Sequence, residues 1–173
     1  MPIQVTVKQE KLWYSQSMNI RKATSEDALL LSDLSRDVQT LHAQNYAEIF
    51  KIPQSADFAI SFFDELLADP AVSIFIAEEN REAIGYIFCK LIERPENPFT
   101  FAMRSLLVEH ISVRPAARGK GVGTALMKQA EMLAKALAVQ RIQLDSWDFN
   151  ADAHSFFERL GFQRFNFRFW RPV

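Results

Sequence analysis

Three glycines and two cations stand close together in SVRPAARGKGVGTALMKQAEMLAKAL, residues 112–137. A strand-like run ends at Val113, and Pro115 follows. Then come Arg118, Gly119, Lys120, Gly121, Val122, Gly123 and Thr124, and a helical pattern begins at once. The first N–H groups of a helix have no intrahelical partner, and the helix dipole is positive there. Glycine has no Cβ, so another molecule can approach that bare backbone. The chemistry such a loop offers is a cradle for phosphate, with Arg118 and Lys120 adding positive charge. The bland alternative is a plain strand-to-helix turn. The spacing excludes two familiar cradles. No Gly-x-x-x-x-Gly-Lys-Ser/Thr occurs, and the third glycine comes too early for Gly-x-Gly-x-x-Gly.

The elements that must position this loop follow from periodicity. Residues 1–17 read as an extension, and Met18 opens a short strand. Leu30, Leu34, Val38 and Leu41 recur at helical spacing after it. Thr24 or Ser25 is the N-cap; with Thr24, Asp27 falls where it could reach back as in a capping box. A second helix is expected in ADFAISFFDELLAD. The strands AVSIFIAEE and AIGYIFCKLIE form a hairpin around Asn80 and Arg81. SLLVEHISV is apolar on both faces, as a central strand covered on both sides would be. After the glycine loop, Val122, Leu126, Ala130, Leu133 and Leu137 make one helical stripe. RIQLDSW reads as a strand, and NADAHSFFERLG as a short helix capped by Asn150 and closed by Gly161. In RFNFRFW, Phe165, Phe167 and Phe169 alternate with Arg164, Asn166 and Arg168. That period predicts a last strand with one buried face. The order β-α-α-β-β-β-α-β-α-β describes one mixed α/β domain over residues 18–173.

Arg118-x-x-Gly121-x-Gly123, after a strand ending Val-x-Pro, resembles the acetyl-CoA pyrophosphate loop of the GNAT N-acetyltransferase superfamily. A second stretch agrees: Asn150, Ala153, Phe156, Phe157, Gly161 and Phe162 match the family's later signature, in the right order. The resemblance covers roughly residues 18–173. It implies the GNAT fold: a central mixed, mostly antiparallel sheet with helices on both faces and two splayed parallel strands. It also implies acetyl-CoA as co-substrate, lying between LLVEHISV and RIQLDSW. Main-chain groups of Ile111, Ser112 and Val113 would pair with the pantetheine arm, and N–H groups of residues 118–124 would hold the pyrophosphate. Thr124 could add a hydroxyl, or be an ordinary first-turn residue. Asn150 could contact the cofactor arm, or simply cap its helix. Phe157 falls where many members carry a tyrosine that protonates the leaving thiolate. Phenylalanine has no proton to give, so Ser155, Tyr86 or solvent would have to serve.

The implied reaction is attack of a neutral amine on a thioester, assisted by a base or a water chain. The oxyanion needs a donor, such as a main-chain N–H of the central strand. Glu109 and His110 are adjacent, so they face opposite sides of that strand unless a bulge intervenes. Glu109 is the favoured base, through water, because acidic residues recur near this place in the family. His110 is the alternative, since an unperturbed imidazole suits the task. Either could instead make a structural hydrogen bond or touch a partner subunit. In the family the first two helices and their connection line the acceptor site, here LHAQNYAEIFKIP. His42, Tyr46 and Glu48 would form its aromatic and acidic wall, suited to a cationic amine. Phe50 is expected in the core, and His42 at the end of the first helix.

A net charge of −1 gives no global reason to bind nucleic acid or an anionic membrane. No apolar run reaches the length of a transmembrane helix, and no signal peptide is indicated. A single cysteine, Cys89, in an apolar run fits an inert thiol in a reducing cytoplasm. The expected partner is a small-molecule or peptide amine. The family often forms dimers, and C-terminal aromatics such as Trp170 would suit a homodimer if exposed. The reading from a different class is a non-catalytic module of this fold that senses acyl-CoA or binds a partner.

Overall fold

A computed structural model describes residues 18–171, so the expected extension at 1–17 lies outside the described residues. Five strands form one sheet in sequential order, β1 (Asn19–Lys22), β2 (Val72–Glu79), β3 (Glu82–Arg94), β4 (Met103–Val113) and β5 (Ile142–Leu144). All pairs are antiparallel except β4 with β5, which is parallel. The helices are α1 (Ala28–Asn45), α2 (Ile60–Ala68), α3 (Val122–Ala136) and α4 (Ala151–Arg159).

Alternation along the strands divides the core in two. Ile74, Ile76, Tyr86 and Phe88 face α1 and α2, where Leu31, Leu34 and Phe63 meet them. Phe75, Ala77, Ile87 and Cys89 face the other way, against Val122, Leu126, Met127 and Ala130 of α3. The middles of β2 and β3 thus bury both faces and are apolar throughout. The entry to α1 is fixed as the Thr24 alternative requires. The Asp27 carboxylate accepts the Thr24 N–H at 2.8 Å and is also held by Arg21 at 2.7 and 2.8 Å. The Arg21 guanidinium holds that carboxyl below the usual carboxylate range. The β2–β3 hairpin turns at Asn80 and Arg81, both with positive φ, the turn that matches strand twist. The chain leaves α4 through Gly161 at φ 88°.

Two expectations about strands are corrected. β5 is only Ile142–Leu144; Asp145, Ser146 and Trp147 leave the sheet. The Phe-rich C-terminus forms no strand through residue 171, and its aromatic face is not buried. Phe165, Phe167, Phe169 and Trp170 are 67–90% exposed. The alternation is real, but no neighbouring edge within the described chain receives it, and an unpaired strand has no ladder to hold it. Among the described residues, no helix is long and apolar enough to cross a membrane.

Candidate functional site

The site begins where two strands part. β4 and β5 pair only at Leu106–Ile142, Leu107–Gln143 and Val108–Leu144. Beyond Val108, β4 continues for five residues to Val113 without β5 beside it. The divergence starts at a β-bulge: Cys89 pairs with Val108, but Phe88 pairs with His110. Glu109 is the extra residue. Its effect shows in the packing. Val108, Ile111 and Val113 all contact the α3-side core, although alternation alone would put Val108 and Ile111 on opposite faces. The bulge takes up one residue, so Glu109 and His110 both fall on the α1 side of β4. The simple expectation of opposite faces is replaced by its stated exception.

Several contacts hold α1 over this widened end. Ser112, buried on β4, donates its hydroxyl to the Leu34 carbonyl at 3.2 Å. Arg114 pairs with Asp33 and lies 3.6 Å from Asp37. On the other side β3 comes very close. A Cβ built on Gly85 would stand 2.7 Å from the Ser112 carbonyl oxygen, so only glycine fits that register.

β4 leads directly into the glycine loop. A short 3-10 turn, Pro115–Ala117, joins them. Gly119 and Gly121 have φ of 76° and 84°, which L side chains rarely adopt. A Cβ at either would meet nothing within 4 Å, so the space beside them is open. Gly121 is the N-cap of α3, and the N–H groups of Val122, Gly123 and Thr124 begin the helix. Gly123 has a different role: its Cβ would come 3.1 Å from the Phe156 ring, so it lets α3 and α4 approach. Arg118 also differs from expectation. Its N–H donates to the Pro115 carbonyl at 3.2 Å and its Nε to the Val113 carbonyl at 3.1 Å. Its main-chain N–H is therefore committed to the turn. Lys120 and Thr124 are exposed beside it. Asn150 caps α4, accepting the Ala153 N–H at 3.2 Å. Phe157 is buried with Phe156 and Phe162 against the α3-side core.

On the α1 side the site is aromatic. His110 stands 3.1 Å from the Tyr86 hydroxyl through Nδ1, with the Phe88 ring 5.9 Å away. Burial, aided by the nearby charge of His42, pushes its imidazole down to about 4. Tyr86 is fully buried, and burial raises its phenol, so it stays protonated. His42 lies in the last turn of α1, three residues before the helix ends; burial lowers its imidazole too. It stacks on Phe50 at 4.8 Å, with Trp147 and Phe149 at 6.4 and 5.8 Å. Phe50 is half-buried in this cluster and not in either core. Tyr46 lies 5.0 Å from Trp147 and donates its hydroxyl to Asp148 at 2.8 Å, which raises its phenol. Glu48 is exposed nearby. Sequence reading missed Trp147, Asp148 and Phe149. They looked like the end of a strand and the lead into a helix, and the one available signal was the run Trp-Asp-Phe just before the Asn150 cap.

The sheet thus opens between its two parallel strands, beside a glycine-rich helix start. The profile of the acetyltransferase (GNAT) family matches residues 36–162, and the chain belongs to that family. A relative named uncharacterized N-acetyltransferase YhfO, from Bacillus subtilis, is 29% identical over 146 residues, covering 84% of this chain and 90% of the relative. The fold is shared with a tetramutant of the BH1408 protein of Bacillus halodurans at a TM-score of 0.84 and 24% identity, over 90% of this chain and 99% of that one. It is also shared with aminoglycoside N-acetyltransferase AAC(6')-Iy, solved with CoA, at a TM-score of 0.72 and 19% identity, over 90% and 95% of the two chains.

Proposed function

We propose that this chain transfers an acetyl group from acetyl-CoA to a primary amine by direct attack within a ternary complex. The observation that carries this reading is the β4 edge from Glu109 to Val113, unpaired among the described residues, which leads through a short turn to the open backbone at Gly119 and Gly121. An unpaired strand edge can hold the amide-bearing pantetheine arm as an added strand would be held. The helix start can hold the diphosphate. Residues 111–113 take the first role and residues 119–124 the second, with Lys120 adding charge. Asn150 has the independent duty of capping α4.

Glu109 takes the amine proton through water. It sits at the bulge, exposed, on the face toward α1. His110 is the weaker candidate, because an imidazole pushed down to about 4 has little affinity for a proton at neutral pH. Its neutral ring, held by Tyr86, orients the acceptor amine. A main-chain N–H of β4 stabilises the oxyanion. The thiol needs no dedicated acid, since thiols are far more acidic than alcohols and the thiolate is a fair leaving group. That is compatible with phenylalanine at 157. His42, Tyr46 and Glu48 line the approach of the amine, joined by Trp147 and Asp148. The acceptor is a small-molecule or peptide amine, and the compartment a reducing cytoplasm.

The test is release of free CoA from acetyl-CoA across polyamines, aminoglycosides, small amines and peptides. Release with one class is expected. Glu109→Gln should lower kcat by about 10²-fold and move the acid limb of the pH–rate profile. If His110→Ala moves that limb and Glu109→Gln does not, the two roles exchange. Phe157 favours a second reading, an acyl-CoA sensor. Binding of acetyl-CoA with no release to any amine would support it.

A further inference from the structure

We propose that Tyr86 fixes His110 in the tautomer with its proton on Nε2, and that this N–H holds an oxygen of the acceptor molecule, so that the acceptor is an amine with a hydroxyl or carbonyl on the neighbouring carbon. The tautomer follows from geometry; the acceptor class rests on the N-acetyltransferase reading above. Tyr86 is fully buried, and its hydroxyl has one partner among the described residues, His110 Nδ1 at 3.1 Å. The buried Ser112 hydroxyl on the same side of the sheet is spent on the Leu34 carbonyl. The His110 ring is neutral near neutral pH, so it carries a single N–H. Were that proton on Nδ1, it would go to the phenol oxygen, and the phenol proton would have no acceptor among the described residues. A buried donor left that way is costly. With the proton on Nε2, the phenol donates to a bare Nδ1 and both groups are satisfied.

The packing keeps this arrangement. The His110 ring meets Tyr86 and Phe88 edge-on, at 6.5 and 5.9 Å, and the Phe63 ring stands 6.0 Å from Tyr86 on its other side. Neither ring has room to turn away. His110 Nε2 has no protein partner among the described residues, yet it is not sealed off. The side-chain atoms there that are both buried and unpartnered are Asp37 Oδ2, Thr100 Oγ1 and Ser105 Oγ. The half-buried ring therefore shows Nε2 to the site, on the α1 face of β4 and near His42. An N–H there cannot take the proton of the amine, and a bond to the amine lone pair would block attack. In the same reading the oxyanion already has a β4 main-chain N–H. What remains for His110 is an oxygen on the acceptor itself, which would orient the amine beside it. A site built around such a donor rejects the analogue without the oxygen, because the donor is then covered and unpaired. Polyamines and plain alkylamines are poor acceptors on this account.

The sequence holds three histidines, so the imidazole signals of isotopically labelled protein are few, and those lost in His110→Gln belong to His110. A long-range proton–nitrogen correlation spectrum at neutral pH should show a pyridine-like Nδ1 and a pyrrole-like Nε2. Tyr86→Phe should move the Nδ1 signal toward that of an unbonded ring. CoA release should favour phenylalaninamide over phenethylamine, and ethanolamine over propylamine, by about 100-fold in kcat/KM. Tyr86→Phe should cut that preference to about 10-fold and His110→Phe to about 3-fold or less, whereas His110→Gln, whose amide keeps an N–H, should retain most of it. A pyrrole-like Nδ1 overturns the tautomer. Equal turnover of the paired amines, or a preference that survives His110→Phe, overturns the acceptor class and leaves the N-acetyltransferase reading standing. No release to any amine removes that reading and the acceptor class with it, while the spectrum still decides the tautomer.

Discussion

β4 and the C-terminal segment carry equally clear strand signals, and only one of them is a strand. β4 is paired on both sides for part of its length, buried on both faces, and tied to α1 by Ser112. The segment at 163–171 has better alternation and no partner within the described chain. Alternation records which residues want a common face. It does not supply the edge on which that face is built, and β-structure is stable only as part of a ladder. The proposed cofactor arm at β4 uses an edge that the fold leaves open by a bulge.

The contrast can be broken at its strong side. Gly121→Val should weaken acetyl-CoA binding about 100-fold by calorimetry, because it strains a left-handed backbone and stands a side chain over the cradle. Unchanged affinity would mean the helix start does not hold the diphosphate. Next, Leu106 is fully buried where β4 still pairs with β5, and Leu106→Ala should cost about 3 kcal/mol in urea unfolding. A pH effect of similar size belongs to His110. Its folded pKa of about 4 lies below the unfolded value, so the unfolded chain binds more protons between them. The associated stability is present above pH 6.5 and is lost as pH falls toward 4, by roughly 3 kcal/mol. His110→Phe should flatten that slope; an unchanged slope would place the titration elsewhere. Gly85→Ala, forced against the Ser112 carbonyl, should cost about 2 kcal/mol. At the weak side, Phe169→Ser should change stability by under about 0.5 kcal/mol. A larger loss would show that the segment is folded onto its own chain.

Much of the fold was legible because its signals are local. Asn80-Arg81 marks a hairpin, Asn150 caps α4, and the stripe Val122, Leu126 and Ala130 faces a core. The glycine turn was legible too, since Gly119 and Gly121 have positive φ with open space beside them. Other features were not local. The bulge at Glu109 is set by register against β3, and no single residue announces it. The end of β5 at Leu144 coincides with the divergence of β4 and with Asp145, a residue type depleted in strands. Trp147 and Phe149 reach His42 only because the loop after β5 passes the end of α1, more than a hundred residues away in sequence.

Cys89 is the single sulfhydryl in the sequence, and it is wholly buried in β3 with its thiol pushed up to about 12. At neutral pH it is neither ionised nor reachable, so a thiol-reactive dye should pass the folded protein by. Every colour change in a continuous assay would then count a molecule of liberated CoA, without a blank from the enzyme. The same silence makes any cysteine added at the surface an addressable label on an otherwise unreactive protein.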